Sequence, residues 1–203
     1  MLKKVITVFA FQSAACLMAT SIVRGAEVSG HVRGPEPAES SRATIIVYAE
    51  SVDGRTPVKP GHFKMVQRDK AFVPNTLAIP AGSKVDFPNE DPFFHNVFTQ
   101  SGPGRFNLGM YRPGQWKSHV FSEPAVYRMF CKIHPQMTAV ILVLPTSYIT
   151  VLDASGDYRL DLHPGRFRIT AWSANTQPAT AEVTVSSGPV KAPELILTPR
   201  VGE

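Results

Sequence analysis

Two cysteines in 203 residues leave little room for a covalent framework. One of them, Cys16, lies in an N-terminal stretch that reads as a removable leader. A mature chain then holds the single thiol of Cys131 and no internal disulfide. Charge is sparse too, at 18% of residues. The formal net charge is +5, but setting aside Lys3, Lys4 and Arg24 of the leader leaves 18 basic against 16 acidic residues, or +2. A nucleic-acid binder needs a dense basic face, and this balance does not supply one. No window shows a sustained 3.6-residue period with caps, so little helix is expected. After the leader no apolar run reaches about 18 residues, so no further membrane-spanning helix is expected. The chain is instead rich in breakers, with 18 Pro and 14 Gly, and at 43% hydrophobic it has enough apolar surface to bury a core.

The leader has the layout of a secretory signal peptide. Lys3 and Lys4 form a positive start, Val5 to Val23 an apolar stretch, and Val23-Arg24-Gly25-Ala26 a small-residue cleavage site. Residues 1–25 are therefore expected to be removed and the folded part exported to the periplasm. An uncleaved anchor is the alternative, because Val5 to Val23 is nearly long enough to span; Gln12, Ser13, Thr20 and Ser21 interrupt it. Ser13-Ala14-Ala15 before Cys16 makes a poor lipidation box. Association with a membrane surface is compatible with this reading and not required by it.

The rest reads as short strands separated by turns, hence an all-β chain of sandwiches or barrels. Strands are expected at 28–32, 44–48, 63–67, 72–79, 84–87, 96–100, 116–121, 126–131 and 138–144. Residues 51–61, rich in Pro and Gly, read as a linker. Beyond Pro145 the texture changes. Strands at 148–152, 158–162, 166–172, 181–185 and 194–197, with their own turns, point to a second small β-sandwich.

The chemistry concentrates in Cys131-Lys132-Ile133-His134-Pro135-Gln136-Met137, with His95 standing 36 residues before the cysteine. Two imidazoles, one thiolate and one thioether are the donor set of a blue-copper site, with His₂Cys in the plane and Met as the long axial ligand. Three donors on one seven-residue loop can converge on a single ion, and a fourth from a distant loop ties two strand ends together. Taken singly, a Cys, His or Met is more often a core or surface residue, but an unpaired thiol is unusual in an exported chain. Zinc could take the same ligands, although Met is a poor zinc ligand and zinc has no redox use. Haem attachment needs Cys-x-x-Cys-His, which is absent. A thiol-nucleophile enzyme could pair Cys131 with His134 or His95, but would leave Met137 without a role. The expectation is a protein that is not an enzyme.

Phe72-Val73-Pro74, Ala81-Gly82-Ser83-Lys84-Val85-Asp86-Phe87-Pro88-Asn89, His95-Asn96-Val97-Phe98 and Cys131-x2-His134-x2-Met137 resemble the plastocyanin, pseudoazurin and amicyanin family of cupredoxins. The short ligand loop is similar to that of amicyanin. Over residues 62–145 the resemblance implies a Greek-key sandwich with one type 1 copper held by His95, Cys131, His134 and Met137. It also implies that Asn96 supports the site, its backbone N–H meeting the cysteine sulfur and its side chain bracing the two ligand loops. By the same resemblance the ring edge of His134 reaches the surface as the electron port, beside Pro135 and Gln136. The implied partner is a transient redox protein such as a cytochrome or a dehydrogenase.

The flanks resemble a carboxypeptidase regulatory-type, transthyretin-like sandwich in 28–32, 45–48, 152–160 and 164–169. On that resemblance residues 27–50 and 147–198 form one discontinuous module with the copper domain inserted. The alternative is two consecutive domains, 27–145 and 147–198. The overall arrangement resembles exported plastocyanin-like proteins labelled as methylamine-utilisation proteins. Three functions remain open on sequence: electron carriage, copper binding or storage without electron transfer, and an envelope interaction module with a structural copper. Of the remaining candidates, His119 reads as an ordinary strand residue. Asp153, Asp157 and Asp161 read as a solvated turn without EF-hand spacing. His31, His62 and His163 have no ligand neighbours in sequence. Phe93 and Phe94 read as core, with an apolar collar around the site as the alternative.

Overall fold

A computed structural model describes residues 25–34, 44–152 and 155–200. Residues 1–24 of the expected leader, with Cys16, and Asp153 lie outside these residues. Among the described residues the regular structure is entirely strand, as the breaker-rich sequence requires.

Two strands come first, β1 (Ala26–Arg33) and β2 (Ile46–Ser51). The middle of the chain forms β3 (His62–Lys64), β4 (Val66–Arg68), β5 (Ala71–Val73), β6 (Thr76–Pro80), β7 (Ser83–Pro88), β8 (His95–Thr99), β9 (Phe106–Tyr111), β10 (Trp116–Phe121), β11 (Ala125–Phe130) and β12 (Thr138–Leu144). Then follow β13 (Ile149–Val151), β14 (Asp157–Leu162), β15 (Gly165–Trp172), β16 (Thr176–Gln177), β17 (Ala179–Val185), β18 (Val190–Lys191), β19 (Leu195–Ile196) and β20 (Thr198–Pro199).

The middle strands make a three-stranded sheet in the order β10-β7-β3 and a five-stranded sheet in the order β6-β12-β11-β8-β9. Residues contributed by both, among them Ile79, Val85, Phe87, Val97, Phe121, Tyr127, Met129 and Ile141, form one buried cluster, which Phe72 of the separate β4-β5 pair joins. The outer strands make a second pair of sheets. β1 pairs with β14, β18 and β19, and β2 pairs with β13 and β15. Every ladder described for β1 and β2 thus runs to strands after residue 148. Alternation explains the packing. Tyr158, Leu160 and Leu162 of β14 point inward while Asp157, Arg159 and Asp161 point out.

β15 is covered on one face along its length and on both faces only at its end, since Arg166 and Arg168 are exposed while Thr170 and Trp172 are buried. Phe167, Ile169 and Ala171 enter the core of the outer strands. Trp172 joins Ile46 of β2 against Leu142 and Leu144 of β12, in a small cluster that joins the two sandwiches. The two chain crossings run side by side. The Lys59 amide donates to Ser147 Oγ (2.7 Å), and the Ser147 amide to the Pro57 carbonyl (3.0 Å).

In the middle of the chain three strands differ from the sequence reading, and beyond it the two-residue strands β16, β18 and β20 were not expected. The expected strand at 63–67 is two, because Met65 turns into the core and its amide bonds the Asp86 carbonyl (2.9 Å). The expected strand at 72–79 is broken after Val73, where Pro74 follows a cis bond and has no N–H to give a ladder. β9 was not expected at all. Gly109 sits in it at φ 68°, in the left-handed region, and interrupts the alternation that would have announced a strand.

Candidate metal centre

Period-two alternation carries three of the four expected ligands to one end of the five-stranded sheet. Along β11, Tyr127 and Met129 point into the core, and Cys131, the next residue in that phase, is 4% exposed and unpaired. Val143, Ile141 and Ala139 of β12 are buried, and Met137 extends the same phase at 1% exposure. His95 opens β8, in phase with buried Val97 and Thr99, and is completely buried. β8 and β12 flank β11. The hydrophobic pattern that builds the sandwich therefore also aims these side chains at one place.

The loop from Cys131 to Met137 is closed by its own backbone. The Met137 amide donates to the His134 carbonyl (2.9 Å), and the Cys131 amide to the Met137 carbonyl (3.3 Å). His134, on the bend of this loop, is half-buried. Its Nδ1 lies 3.2 Å from His95 Nδ1 and 3.9 Å from Cys131 Sγ, and His95 Nδ1 lies 3.7 Å from the same sulfur. A trigonal plane with nitrogen at about 2.0 Å and thiolate sulfur at about 2.3 Å from an ion has edges of about 3.5 and 3.7 Å. The observed triangle matches those edges, so the residues fit a metal ion of this size. Among the described residues this is the one group of three or more His, Cys, Asp or Glu that could hold a metal ion. Met137 lies in the same buried cluster as Cys131, a soft donor within a soft donor set.

His95 is oriented from behind. Its Nε2 lies 2.7 Å from Oδ2 of Asp91, a carboxylate only 5% exposed. The same carboxylate accepts the amides of Asp69 (2.7 Å) and Lys70 (3.0 Å). Burial works against ionisation of Asp91, but the Lys70 amide, His95 and the Asp69 amide outweigh it and hold its pKa below the usual carboxylate value. Burial pushes the His134 pKa down, and the charges of His95 and Lys70 add to this. Phe93 lies against both imidazoles, with ring centroids 5.2 Å from His95 and 5.4 Å from His134, and the Lys70 ammonium stands 5.3 Å from the Phe93 ring. Phe93 is half-buried and Phe94 is 46% exposed, so neither ring is core, and Phe93 borders the site.

Asn96 differs from the expectation. Its side-chain amide is buried, but it donates to Asn107 Oδ1 (2.7 Å) on the adjacent strand β9. Asn96 Oδ1 has no hydrogen-bond partner in the protein. The side chain thus ties β8 to β9, and no hydrogen bond from it reaches the loop of Cys131. The cause is β9 itself, the strand that sequence patterning missed. Asp91 was also missed, because Asn89-Glu90-Asp91 reads as a turn; the available signal was a carboxylate four residues before a ligand histidine.

The other histidines are accounted for by their own contacts. His31 meets Asp157 (2.9 Å) and His62 meets Asp86 (2.7 Å). His163 Nδ1 lies 2.8 Å from the Pro164 carbonyl oxygen, and His119 stacks on Phe106 at 3.8 Å between centroids.

No family model matches the chain. Among solved structures it is similar to a purple cupredoxin from Nitrosopumilus maritimus, at 26% identity over 40% of this chain and 98% of that one, with a TM-score of 0.37. It is similar to a copper-containing nitrite reductase from Thermus scotoductus at 25% identity, over 57% of this chain and 28% of that one, with a TM-score of 0.40. A reduced amicyanin variant matches at 23% identity over 43% of this chain and 86% of that one, with a TM-score of 0.39.

Proposed function

We propose that this protein is an exported type 1 copper electron carrier. The observation that carries the reading is the triangle of His95 Nδ1, His134 Nδ1 and Cys131 Sγ, with edges of 3.2, 3.7 and 3.9 Å and Met137 buried beside it. Bound copper would supply a one-electron couple between Cu(II) and Cu(I). Cys131 provides a soft thiolate suited to Cu(I), the imidazoles tolerate Cu(II), and Met137 is the weak axial donor. The backbone bonds that close the loop hold the donors in one arrangement, so little rearrangement accompanies gain or loss of an electron.

His134 is the ligand nearest solvent, because His95, Cys131 and Met137 are buried. Its chain neighbours Ile133 and Pro135 are exposed, and so is Phe94, the residue before His95. A small, partly apolar surface of this kind suits a transient redox partner, a cytochrome or a dehydrogenase. In the same proposal residues 62–145 are the copper domain, inserted into a sandwich made from 27–50 and 147–198.

Voltammetry of the full chain loaded with one equivalent of copper tests this function. The expected result is a reversible one-electron wave. Stable copper binding with no reversible wave would contradict electron carriage and favour storage or a structural ion.

A further inference from the structure

We propose that Asp91 is a positioning residue for the metal centre: it fixes the proton of His95 on Nε2, frees Nδ1 for the ion, and lowers the reduction potential through its charge. The potential rests on the copper reading; the proton position does not.

An ionised carboxylate only accepts hydrogen bonds. Asp91 has three donors in reach, and two are backbone amides, of Asp69 and Lys70, with no alternative protonation. The third contact is His95 Nε2 at 2.7 Å, so this nitrogen must carry the proton. A neutral imidazole with its proton on Nε2 presents a lone pair at Nδ1, the atom that faces Cys131 Sγ and His134 Nδ1.

The carboxylate is itself held firmly. Asp69 and Lys70 both take φ 54°, an unfavourable conformation for residues other than glycine, in the two-residue turn between β4 and β5. That turn directs both amides at Asp91. The Glu90 amide donates to the Gln67 carbonyl (2.9 Å), and Arg68 pairs with Glu90, so the hairpin is tied to the 89–91 segment. The Asp91 amide in turn donates to Asn89 Oδ1 (3.1 Å).

A buried negative charge on the far side of a ligand imidazole makes that ring a better donor. It favours the more positive, oxidised state of a bound ion. Reduction adds one electron, supplied by the electrode, while the proton stays on Nε2 in both states. Removing the charge must therefore raise the midpoint potential. If Asp91 merely capped the turn at 69–70, neither the His95 proton nor the potential would depend on it.

The test has two readouts on the full chain. The first is long-range proton–nitrogen NMR of the ¹⁵N-labelled, metal-free protein at about pH 8, where an ordinary imidazole is neutral. Wild-type His95 is expected to carry its proton on Nε2, and Asp91→Asn to shift population to Nδ1. A wild-type proton on Nδ1 alone overturns the proposal, and this measurement decides even if the variant does not fold. The second is the midpoint potential with copper bound, expected to shift upward in Asp91→Asn. An unchanged potential overturns the potential-setting role whatever the proton does. A wild-type chain that takes up no copper defeats the copper reading, while the NMR result still decides the role of Asp91.

Discussion

His95 at the start of β8 and His134 on the 131–137 loop bring their Nδ1 atoms to 3.2 Å, close to the spacing of two imidazole nitrogens that share one ion. The two rings are 39 residues apart in sequence, so only the folded chain can offer both to one ion. Metal should therefore stabilise the folded chain, by about 4 kcal/mol at a free concentration a thousandfold above Kd. Thermal melts with and without copper check this. His134→Ala should erase the metal-induced rise in Tm while leaving the metal-free Tm nearly unchanged, because the side chain is half-buried on a loop. His95→Ala should erase the same rise and also lower the metal-free Tm, since it leaves buried Asp91 without its imidazole donor, a loss of about 1–3 kcal/mol.

Met137 is 1% exposed and belongs to the core as well as to the proposed site. Met137→Leu conserves volume and should cost less than about 1.5 kcal/mol. It should keep copper but raise the reduction potential, because losing a weak donor destabilises Cu(II) more than Cu(I). Met137→Gln should lower the potential, because an amide oxygen favours Cu(II). Voltammetry of both variants checks the pair; two unchanged potentials would remove Met137 from the coordination sphere.

Two buried tyrosines should answer differently to loss of the hydroxyl. Tyr111 Oη donates to the Phe87 carbonyl (2.8 Å) and meets the Gln67 amide, and burial pushes its pKa up strongly. Tyr111→Phe leaves both partners short of a bond and should destabilise by about 1–3 kcal/mol. Tyr158 Oη is buried with no hydrogen-bond partner, and burial raises its pKa to about 12. Tyr158→Phe removes an unsatisfied group and should be neutral or stabilising. The Tyr158 ring packs on Gly30, where an added Cβ would lie 2.5 Å from it, so Gly30→Ala should cost about 1–3 kcal/mol. Urea denaturation of the three variants measures all of this.

Acid should loosen the three-stranded sheet through Asp86. Burial alone would raise its pKa, but bonds from Ser118 (2.5 Å) and His62 (2.7 Å) and the Lys84 charge hold it below the unfolded value. A carboxylate whose folded pKa is depressed contributes stability above its unfolded pKa of about 3.9, and loses it as pH falls through the lower folded value. Asp86→Asn should therefore lower Tm at neutral pH and flatten its decline below about pH 4. Melts of both proteins between about pH 7 and pH 3 would show a persistent gap if Asp86 were not the cause.

The domain division has its own test. Expressed alone, residues 62–145 keep all four proposed ligands and both sheets of the middle sandwich, and should fold and bind copper. Removing the outer strands uncovers Leu142 and Leu144, which pack on Ile46 and Trp172, so the fragment should aggregate more readily than the full chain. A fragment that stays unfolded with copper present would count against an inserted domain.

The loop of the proposed ligands stood out because Cys131, His134 and Met137 are close in sequence and their side-chain types are rare together. Most strands were legible from alternation, as in Tyr158-Arg159-Leu160-Asp161-Leu162. What stayed hidden depends on contacts between distant segments. Asp91 acquires its role from the amides of Asp69 and Lys70 and from the ring of His95, and its spacing of four residues from His95 is a weak local mark. Asn96 turns to Asn107 because β9 lies beside it, and Gly109 conceals that strand. Phe93 and Phe94 look like core by composition, yet they sit where the sandwich ends and the ligand loops begin.

The visible spectrum of the purified chain titrated with Cu(II) tests the central claim most directly. An intense thiolate-to-copper band should grow to one equivalent, bleach with mild reductant, and be absent in Cys131→Ser, whose hydroxyl is a hard, weak donor in place of the thiolate. A protein that stays colourless with copper while taking up zinc at the same residues would contradict the account.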